Sequence, residues 1–278
     1  MTIARAVRKA PIYLVLGVLC VLWLIPVLST LVVSLKSPQE FVTQKFYQLP
    51  GRIYLLSNLQ KVLSEYRLNA HFVNSLLYAV AGGAVTIITA SMAGYSIVRL
   101  RPKFNFLLFL IIYSGTLFPF QMYLIPVYRL FNVLGLYDTR TGMILIYSAI
   151  CIPFSLFVYR GFYTTIPREI EEAARLDGCG PVRSFVSIFL PQSLPPTAVV
   201  ALFQMTWIWN DLLFGMVLSR TQHVRPIMVA LATMTGYGGG NIPWIMTGVI
   251  FTSVPTVVLF VLLRRFFIQG MSLSVASK

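Results

Sequence analysis

Carboxylates are scarce in this chain: eight Asp and Glu side chains stand among 278 residues, against 22 Lys and Arg. Histidine is scarcer, with only His71 and His223, far apart in sequence. The three cysteines, Cys20, Cys151 and Cys179, form no C-x-x-C pair. Metal centres are built from such ligands in clusters, so no metal site is expected, and no disulfide follows from this spacing. A membrane enzyme would need a nucleophile, base or metal cluster, and the only dense polar cluster lacks a histidine, a cysteine pair or metal-ligand spacing. No G-x-x-x-x-G-K-S/T string occurs, which excludes a nucleotide site of that type on this chain. Charged residues of both signs make up only 11%.

Apolar side chains are abundant instead. At 57% hydrophobic content and a mean hydropathy of +0.79, the chain has more apolar surface than a water-soluble globule can bury, so it needs a bilayer. Six apolar runs are long enough to span about 30 Å of hydrocarbon as helices, at 12–35, 72–98, 104–126, 141–160, 193–218 and 243–264. They are too long and too uniformly apolar for barrel strands. The sequence therefore predicts an all-α integral membrane protein with six transmembrane helices, forming a single domain over 1–278. Arg5, Arg8 and Lys9 before the first run imitate a secretory signal. That run is about twice a normal signal core and no small-x-small site follows, so an uncleaved anchor is expected.

An even number of spans puts both ends on one side. Of the 22 basic residues, 13 fall on the side that holds the termini, and the tight turn Arg99-Leu100-Arg101-Pro102-Lys103 carries most of the weight, because short loops orient best. Both termini are expected in the cytoplasm. The net charge of +14 flanks the spans, where it meets anionic headgroups, so membrane lipid and not nucleic acid is the expected partner.

Four of the eight acidic residues (Glu169, Glu171, Glu172 and Asp177) crowd into one loop, at about 161–191, between the fourth and fifth runs. Pro167 suits a first helical position, the glutamates suit the positive end of a helix dipole, and Asp177-Gly178 suits its close. Ile170, Ala173, Ala174 and Asp177 share a small, mostly apolar stripe at helical spacing. A helix of about ten residues is marginal alone in water and needs something to hold it. The full string reads Glu172-Ala173-Ala174, Gly178, then Ile188, Leu190 and Pro191.

That string resembles the cytoplasmic coupling loop, or EAA loop, of ABC importer permeases. Asn74-Ser75-Leu76, Ala93-Gly94-Tyr95 with Arg99, Ile125-Pro126, Leu134-Gly135-Leu136, Arg160-Gly161-Phe162, Ile166-Pro167 and Trp209-Asn210 extend the likeness to the carbohydrate-uptake branch, and within it to the six-span permease of maltose-type importers. The likeness runs from about residue 70 to the end. The tail Gly270-Met271-Ser272-Leu273-Ser274-Val275 departs from the Gly-Leu-Thr-x-Gly-like ending the family often shows.

The resemblance implies a permease subunit of the prokaryotic cytoplasmic membrane that carries a sugar or a related polyol or glycoside. Its implied partners are a second homologous permease, two ATP-binding subunits and an extracytoplasmic substrate-binding protein. No cofactor is expected on this chain, with ATP and Mg bound by the partner subunits. Glu169, Glu172, Ala173, Ala174, Asp177, Gly178, Ile188, Leu190 and Pro191 would then dock on an ATP-binding subunit. An amphipathic connector lying on the headgroups is the plainer alternative for this segment.

Polar groups in hydrocarbon tend to face a bundle interior or a wet cavity. Gln121 in the third run, and Gln204, Trp207, Trp209, Asn210 and Asp211 in the fifth, are candidates for a substrate pathway, with interhelical bonding or capping as the competing role. Pro26, Pro119, Pro126, Pro153, Pro195, Pro196 and Pro255 should bend or break helices. Tyr237, Gly238, Gly239 and Gly240 end a loop that the resemblance directs toward the binding protein. A self-sufficient secondary transporter would need buried acidic or histidine relays, and only Asp211 qualifies among the carboxylates. An importer of a non-carbohydrate solute remains the alternative function.

Overall fold

The computed structural model describes residues 3–235 and 241–276, with side chains described over 11–235 and 241–264. All regular structure among them is helical. The elements are α1 (Ile3–Ser34), α2 (Pro38–Thr43), α3 (Leu55–Ser64), α4 (Leu68–Tyr95), α5 (Asn105–Ser114), α6 (Gln121–Val133), α7 (Arg140–Thr165) and α8 (Arg168–Leu176). They continue as α9 (Pro181–Ser184), α10 (Leu190–Gln192), α11 (Leu194–Val200), α12 (Thr206–Asn210), α13 (Leu213–Leu218), α14 (Ile227–Thr233) and α15 (Ile242–Ala276). Three π-helical turns, Ser96–Leu100, Phe185–Phe189 and Ala201–Met205, follow α4, α9 and α11 directly.

Among the described residues, four helices are long and apolar enough to cross a bilayer: Pro11–Ser34, Leu68–Leu100, Arg140–Thr165 and Ile242–Arg264. A fifth crossing exists if Pro181–Gln192 and Leu194–Asn210, bent by 71°, form one span. The run at 104–126 is not one helix. α5 stops at Ser114, Gly115 caps it, and Pro119 keeps the chain out of helix until Gln121. The Gly115 carbonyl takes a hydrogen bond from the Tyr123 hydroxyl at 3.1 Å, so the break leaves that acceptor satisfied. The run at 193–218 is not one helix either: it is bent at Ser193, next to Pro195 and Pro196, against the helix before it, and it stops at Asn210, with Asp211 extended before α13. Buried Ser193 donates to the Phe189 carbonyl at 2.5 Å and shares a 2.8 Å hydrogen bond with the Tyr163 hydroxyl. Pro26, Pro126, Pro153 and Pro255 instead lie inside helices that carry on past them.

Packing divides the chain into two units, Met1–Leu68 with Ala230–Ser253, and Asn69–Val229 with Val254–Lys278. In the first unit the Pro11–Ser34 span is almost wholly exposed until its last turn, where Val33 and Ser34 are buried. The Ser34 carbonyl accepts from the Asn58 amide at 2.9 Å and the Thr247 hydroxyl at 3.4 Å. Ser37 and Glu40 close a capping box on α2, and Lys36, fully buried, donates to the Lys45 carbonyl at 2.7 Å. A Cβ on Gly248 would stand 2.8 Å from Leu231 Cδ1, so a larger residue there would have to displace the end of the Leu231 side chain.

The second unit is built on α4 against α7. Added Cβ atoms would meet Tyr147 Cβ at 3.4 Å from Gly82 and Tyr159 Cβ at 3.0 Å from Gly94, so small residues let the two backbones approach. One buried cluster gathers Tyr78, Tyr147, Cys151, Ile208 and Phe214; another gathers Tyr95, Tyr159, Tyr163, Phe189 and Val200. Buried tyrosines need partners for their hydroxyls. Tyr78 donates to the Val224 carbonyl at 2.7 Å, Tyr147 to Asp211 at 2.9 Å, and Tyr159 pairs with Thr197 at 2.7 Å.

Between α6 and α7 the chain turns through Asp138, whose φ of +54° is left-handed. Its carboxylate accepts from the Arg220 amide at 2.8 Å, the Thr221 amide at 3.0 Å and the Thr221 hydroxyl at 3.2 Å, tying this turn to the segment after α13. Partial burial works to raise its pKa, but those three donors outweigh burial and hold the carboxyl below the usual range. A depressed carboxylate contributes stability above the ordinary carboxylate range and loses it as pH falls through the depressed value. Asp138→Asn should therefore cost about 1 kcal/mol at neutral pH, given charged hydrogen bonds discounted for solvent. Melting curves in detergent should show the gap to wild type narrow as pH is lowered below the ordinary carboxylate range; a gap that persists once the carboxylate is protonated would contradict this assignment.

Candidate functional site

α8 begins one residue later than the sequence suggests: Pro167 is the N-cap, with extended ψ of 145°, and Arg168 is the first helical residue. Glu169 and Glu171 lie in the first turn, near the positive end of the dipole. The close is as expected. Gly178 takes a φ of +77°, its amide donates to the Arg175 carbonyl at 3.0 Å, and the Cys179 amide donates to the Ala174 carbonyl at 2.9 Å. These two bonds form the Schellman arrangement, and Gly178 suits it because a Cβ would be strained at that φ.

One face of α8 is buried through Glu171 and Ala174. The rest faces outward: Glu169, Glu172, Ala173, Asp177 and Gly178 are exposed, and Leu176 is 89% exposed. After it, Ile188 is half-buried, Leu190 and Pro191 are exposed, and Phe189 between them is fully buried. Of the expected docking residues, only Ala174 is buried and Ile188 half-buried; the others face outward.

Arg99 forms the joint. It leaves the π turn after α4 with only 4% of its side chain exposed. One terminal nitrogen donates to the Tyr163 carbonyl at 2.7 Å and the Ile166 carbonyl at 2.5 Å, at the end of α7 where the dipole is negative. The other lies 3.8 Å from Glu171, a Coulombic contact longer than a hydrogen bond. Glu171 is also held by Arg175 one turn on, at 2.6 Å. The Arg99 guanidinium carbon sits 4.9 Å from the centroid of the Phe189 ring. Its Nε has no acceptor, so the remaining contacts must outweigh one orphaned donor. A cleft of about 330 Å³ opens beside this joint, lined by Arg99, Arg101, Arg168, Arg175, Glu171 and Glu172 among others.

Two further cavities lie in the same unit. One of about 470 Å³ is lined by Phe120, Tyr123, Phe154, Phe203, Gln204 and Trp207, among others. Another of about 540 Å³ is bordered by Phe120, Thr206, Trp207, Asn210 and Asp211, among others. Trp207 borders both cavities, with Gln204 on the first and Asn210 and Asp211 on the second, and the Phe120 ring is tilted against Trp207 with centroids 5.3 Å apart. Trp209 is not among the lining residues; it is buried against Phe72 at 5.1 Å. Gln121 is exposed and borders neither cavity. Asp211 is engaged by Tyr147 at 2.9 Å and by the amides of Gly215 at 3.0 Å and Phe214 at 3.4 Å, so its carboxylate also serves the start of α13. Tyr237, Gly238, Gly239 and Gly240 lie outside the described residues. Among the described residues, no three His, Cys, Asp or Glu side chains stand together as metal ligands would.

Residues 86–269 match the family model described as "Binding-protein-dependent transport system inner membrane component". The chain belongs to that family. As a permease subunit of an ABC importer it is a transport component and carries no ATPase of its own. Among its relatives is the osmoprotective compounds uptake permease GgtD of Synechocystis, 29% identical over 269 residues that cover 95% of this chain and 90% of the relative. Another is the melibiose/raffinose/stachyose import permease MelC of Bacillus subtilis, 29% identical over 273 residues, 98% of each chain. A chain in the crystal structure of a bacterial ABC transporter involved in alginate import shares the fold, with a TM-score of 0.83 at 21% identity over 96% of this permease and 99% of that chain.

In the sequence, Arg99 reads as one of several orienting charges and as part of the Ala93-Gly94-Tyr95 likeness, without a structural role, and Phe189 as a residue between motif positions. What marks Arg99 is that it follows an apolar helix without a break, where an unpaired charge would be costly. Arg99→Lys keeps the charge but lacks the planar fork that serves two carbonyls and stacks on a ring. It should loosen α8, raising tryptic cleavage at Arg168 and Arg175 roughly ten-fold with a smaller change in the global melting point. Unchanged cleavage would refute the joint.

Proposed function

We propose that this permease is one of two homologous subunits that form the path of an ATP-driven importer for a sugar or a related polyol or glycoside. It crosses the membrane six times with both termini in the cytoplasm, α5 and α6 together supplying the third crossing and the bent pair the fifth. α8 seats on an ATP-binding subunit, and a substrate-binding protein delivers the solute from the opposite side.

One observation carries the coupling role. α8 is anchored on one face by Arg99 and Glu171, while Leu176, Glu172, Ala173 and Ile170 are exposed on the others. An isolated helix of nine residues does not hold its shape in water, so a fixed short helix with outward apolar groups suits transmission of rigid movement. Closure of the nucleotide subunits would push α8, and the Arg99 joint would pass the push to α4 and α7. Glu172→Lys and Leu176→Asp should each abolish uptake and the co-purification of ATP-binding subunits while the amount of permease in the membrane stays unchanged. Normal uptake by both variants would remove the coupling role.

The solute class is supported by the aromatic cavities and by a relative named for melibiose, raffinose and stachyose import. Rings such as Phe120 and Trp207 offer flat faces to the C–H faces of sugars, and the amides of Gln204 and Asn210 offer hydrogen bonds to hydroxyls. Trp207→Ala should lower uptake of radiolabelled oligosaccharide by about ten-fold, the loss of one good stacking contact. Wild-type uptake by Trp207→Ala and Asn210→Ala would place the path elsewhere.

A further inference from the structure

A cleft of about 290 Å³, adjoining the one beside the Arg99 joint, opens where the π turn after α4, the first turn of α5 and the last turns of α7 meet. Arg101 and Arg160 line it, with Val98, Asn105, Phe106 and Thr164. No acidic side chain does. The Asn105 amide and the Thr164 hydroxyl are occupied by backbone carbonyls, Ile97 at 3.5 Å and Gly161 at 2.6 Å. Arg101 has no side-chain hydrogen bond or ion pair among the described residues, although it also borders the cleft that holds Glu171 and Glu172. Neither carboxylate forms an ion pair with Arg101 among the described residues: Glu171 is taken by Arg99 and Arg175, and Glu172 borders the neighbouring cleft without one. Arg160 likewise forms no ion pair, and its guanidinium is held over the Phe109 ring at 4.3 Å, which fixes it without neutralising it. Two guanidinium groups thus face one cleft with no counter-charge from the protein.

The surroundings narrow the choice of anion. The cleft lies at the C-terminal ends of the spans Leu68–Leu100 and Arg140–Thr165, hence at the edge of the bilayer. Immediately beside it the surface of α5 is exposed and apolar: Phe106 is 64% exposed, and Leu107, Leu110 and Ile111 continue down the helix. A soluble anion would meet only the arginines. An anion attached to hydrocarbon chains would meet both surfaces.

We propose that Arg101 and Arg160 bind the phosphate of an anionic phospholipid, whose acyl chains run along the exposed face of α5. Guanidinium forks match phosphate oxygens bidentately, and a basic pocket between helix ends is a suitable place for a charged headgroup. The site lies next to the Arg99 joint through the shared Arg101, so an occupied cleft would brace the end of α4 from which the joint projects. The inference rests on the membrane-spanning fold alone, so its failure leaves the coupling and solute assignments standing, and theirs leaves it standing.

Native mass spectrometry of the full-length chain in neutral detergent tests it, with phosphatidylglycerol, phosphatidylcholine and inorganic phosphate as probes. One phosphatidylglycerol per chain should be retained in clear preference to phosphatidylcholine. Each arginine lost should weaken retention roughly five-fold, so Arg101→Gln with Arg160→Gln lowers it about 25-fold, while the double Lys variant keeps most of it. If the double Gln variant does not fold, Arg101→Gln alone should still show the single step, because that exposed side chain supports no other contact. Equal retention of phosphatidylcholine, or undiminished phosphatidylglycerol binding by the Gln variants, overturns the site. Displacement of the lipid by an equal concentration of inorganic phosphate would show a free-anion site and overturn the lipid assignment.

Discussion

The end of this permease that carries α8 depends on how one buried cation is satisfied. Arg99 sits where two long helices end, and stripping a guanidinium of water is costly unless its donors are met. The negative end of α7 meets two of them through the Tyr163 and Ile166 carbonyls, and Glu171 supplies the counter-charge from a short helix that cannot stand alone. The same contact therefore resolves two liabilities, a buried charge and an isolated nine-residue helix. The two reach a stable geometry only together. A motion imposed on α8 would be resisted by, and so delivered to, the helices that hold Arg99.

Four of the six expected spans and the short helix were legible from the sequence because each rests on local chemistry. Long apolar runs leave the chain no alternative to helix in lipid, and Gly178 after Asp177 specifies the end of α8 through its backbone angle alone. The breaks were less legible. Seven prolines looked alike, yet Pro119, Pro195 and Pro196 accompany interruptions while Pro26, Pro126, Pro153 and Pro255 ride within continuous helices. What separates them is tertiary: Tyr123 reaches the carbonyl freed at Gly115, and Ser193 and Tyr163 meet at the bend.

The polar residues of the fifth run show the same division. Composition marks Gln204, Trp207, Trp209, Asn210 and Asp211 as one group. Packing separates them: Trp207 and Gln204 open onto a cavity, Trp209 is turned onto Phe72, and the carboxylate of Asp211 is shared between Tyr147 and the start of α13. The distinction between a wet wall and a structural strut depends on neighbours more than 60 positions away in sequence, which no local pattern encodes.

The π turn at Ala201–Met205 has a consequence for how this wall is aimed. Such a turn holds one residue more than an ordinary α turn, which shifts everything beyond it by about 100° around the axis. The tryptophan that faces the void is thus set by an extra residue upstream as much as by its own identity. A single-residue deletion between 201 and 205 would leave composition almost untouched while swinging Trp207 off the cavity wall. In this permease the lining of that cavity is set by spacing as much as by side-chain identity.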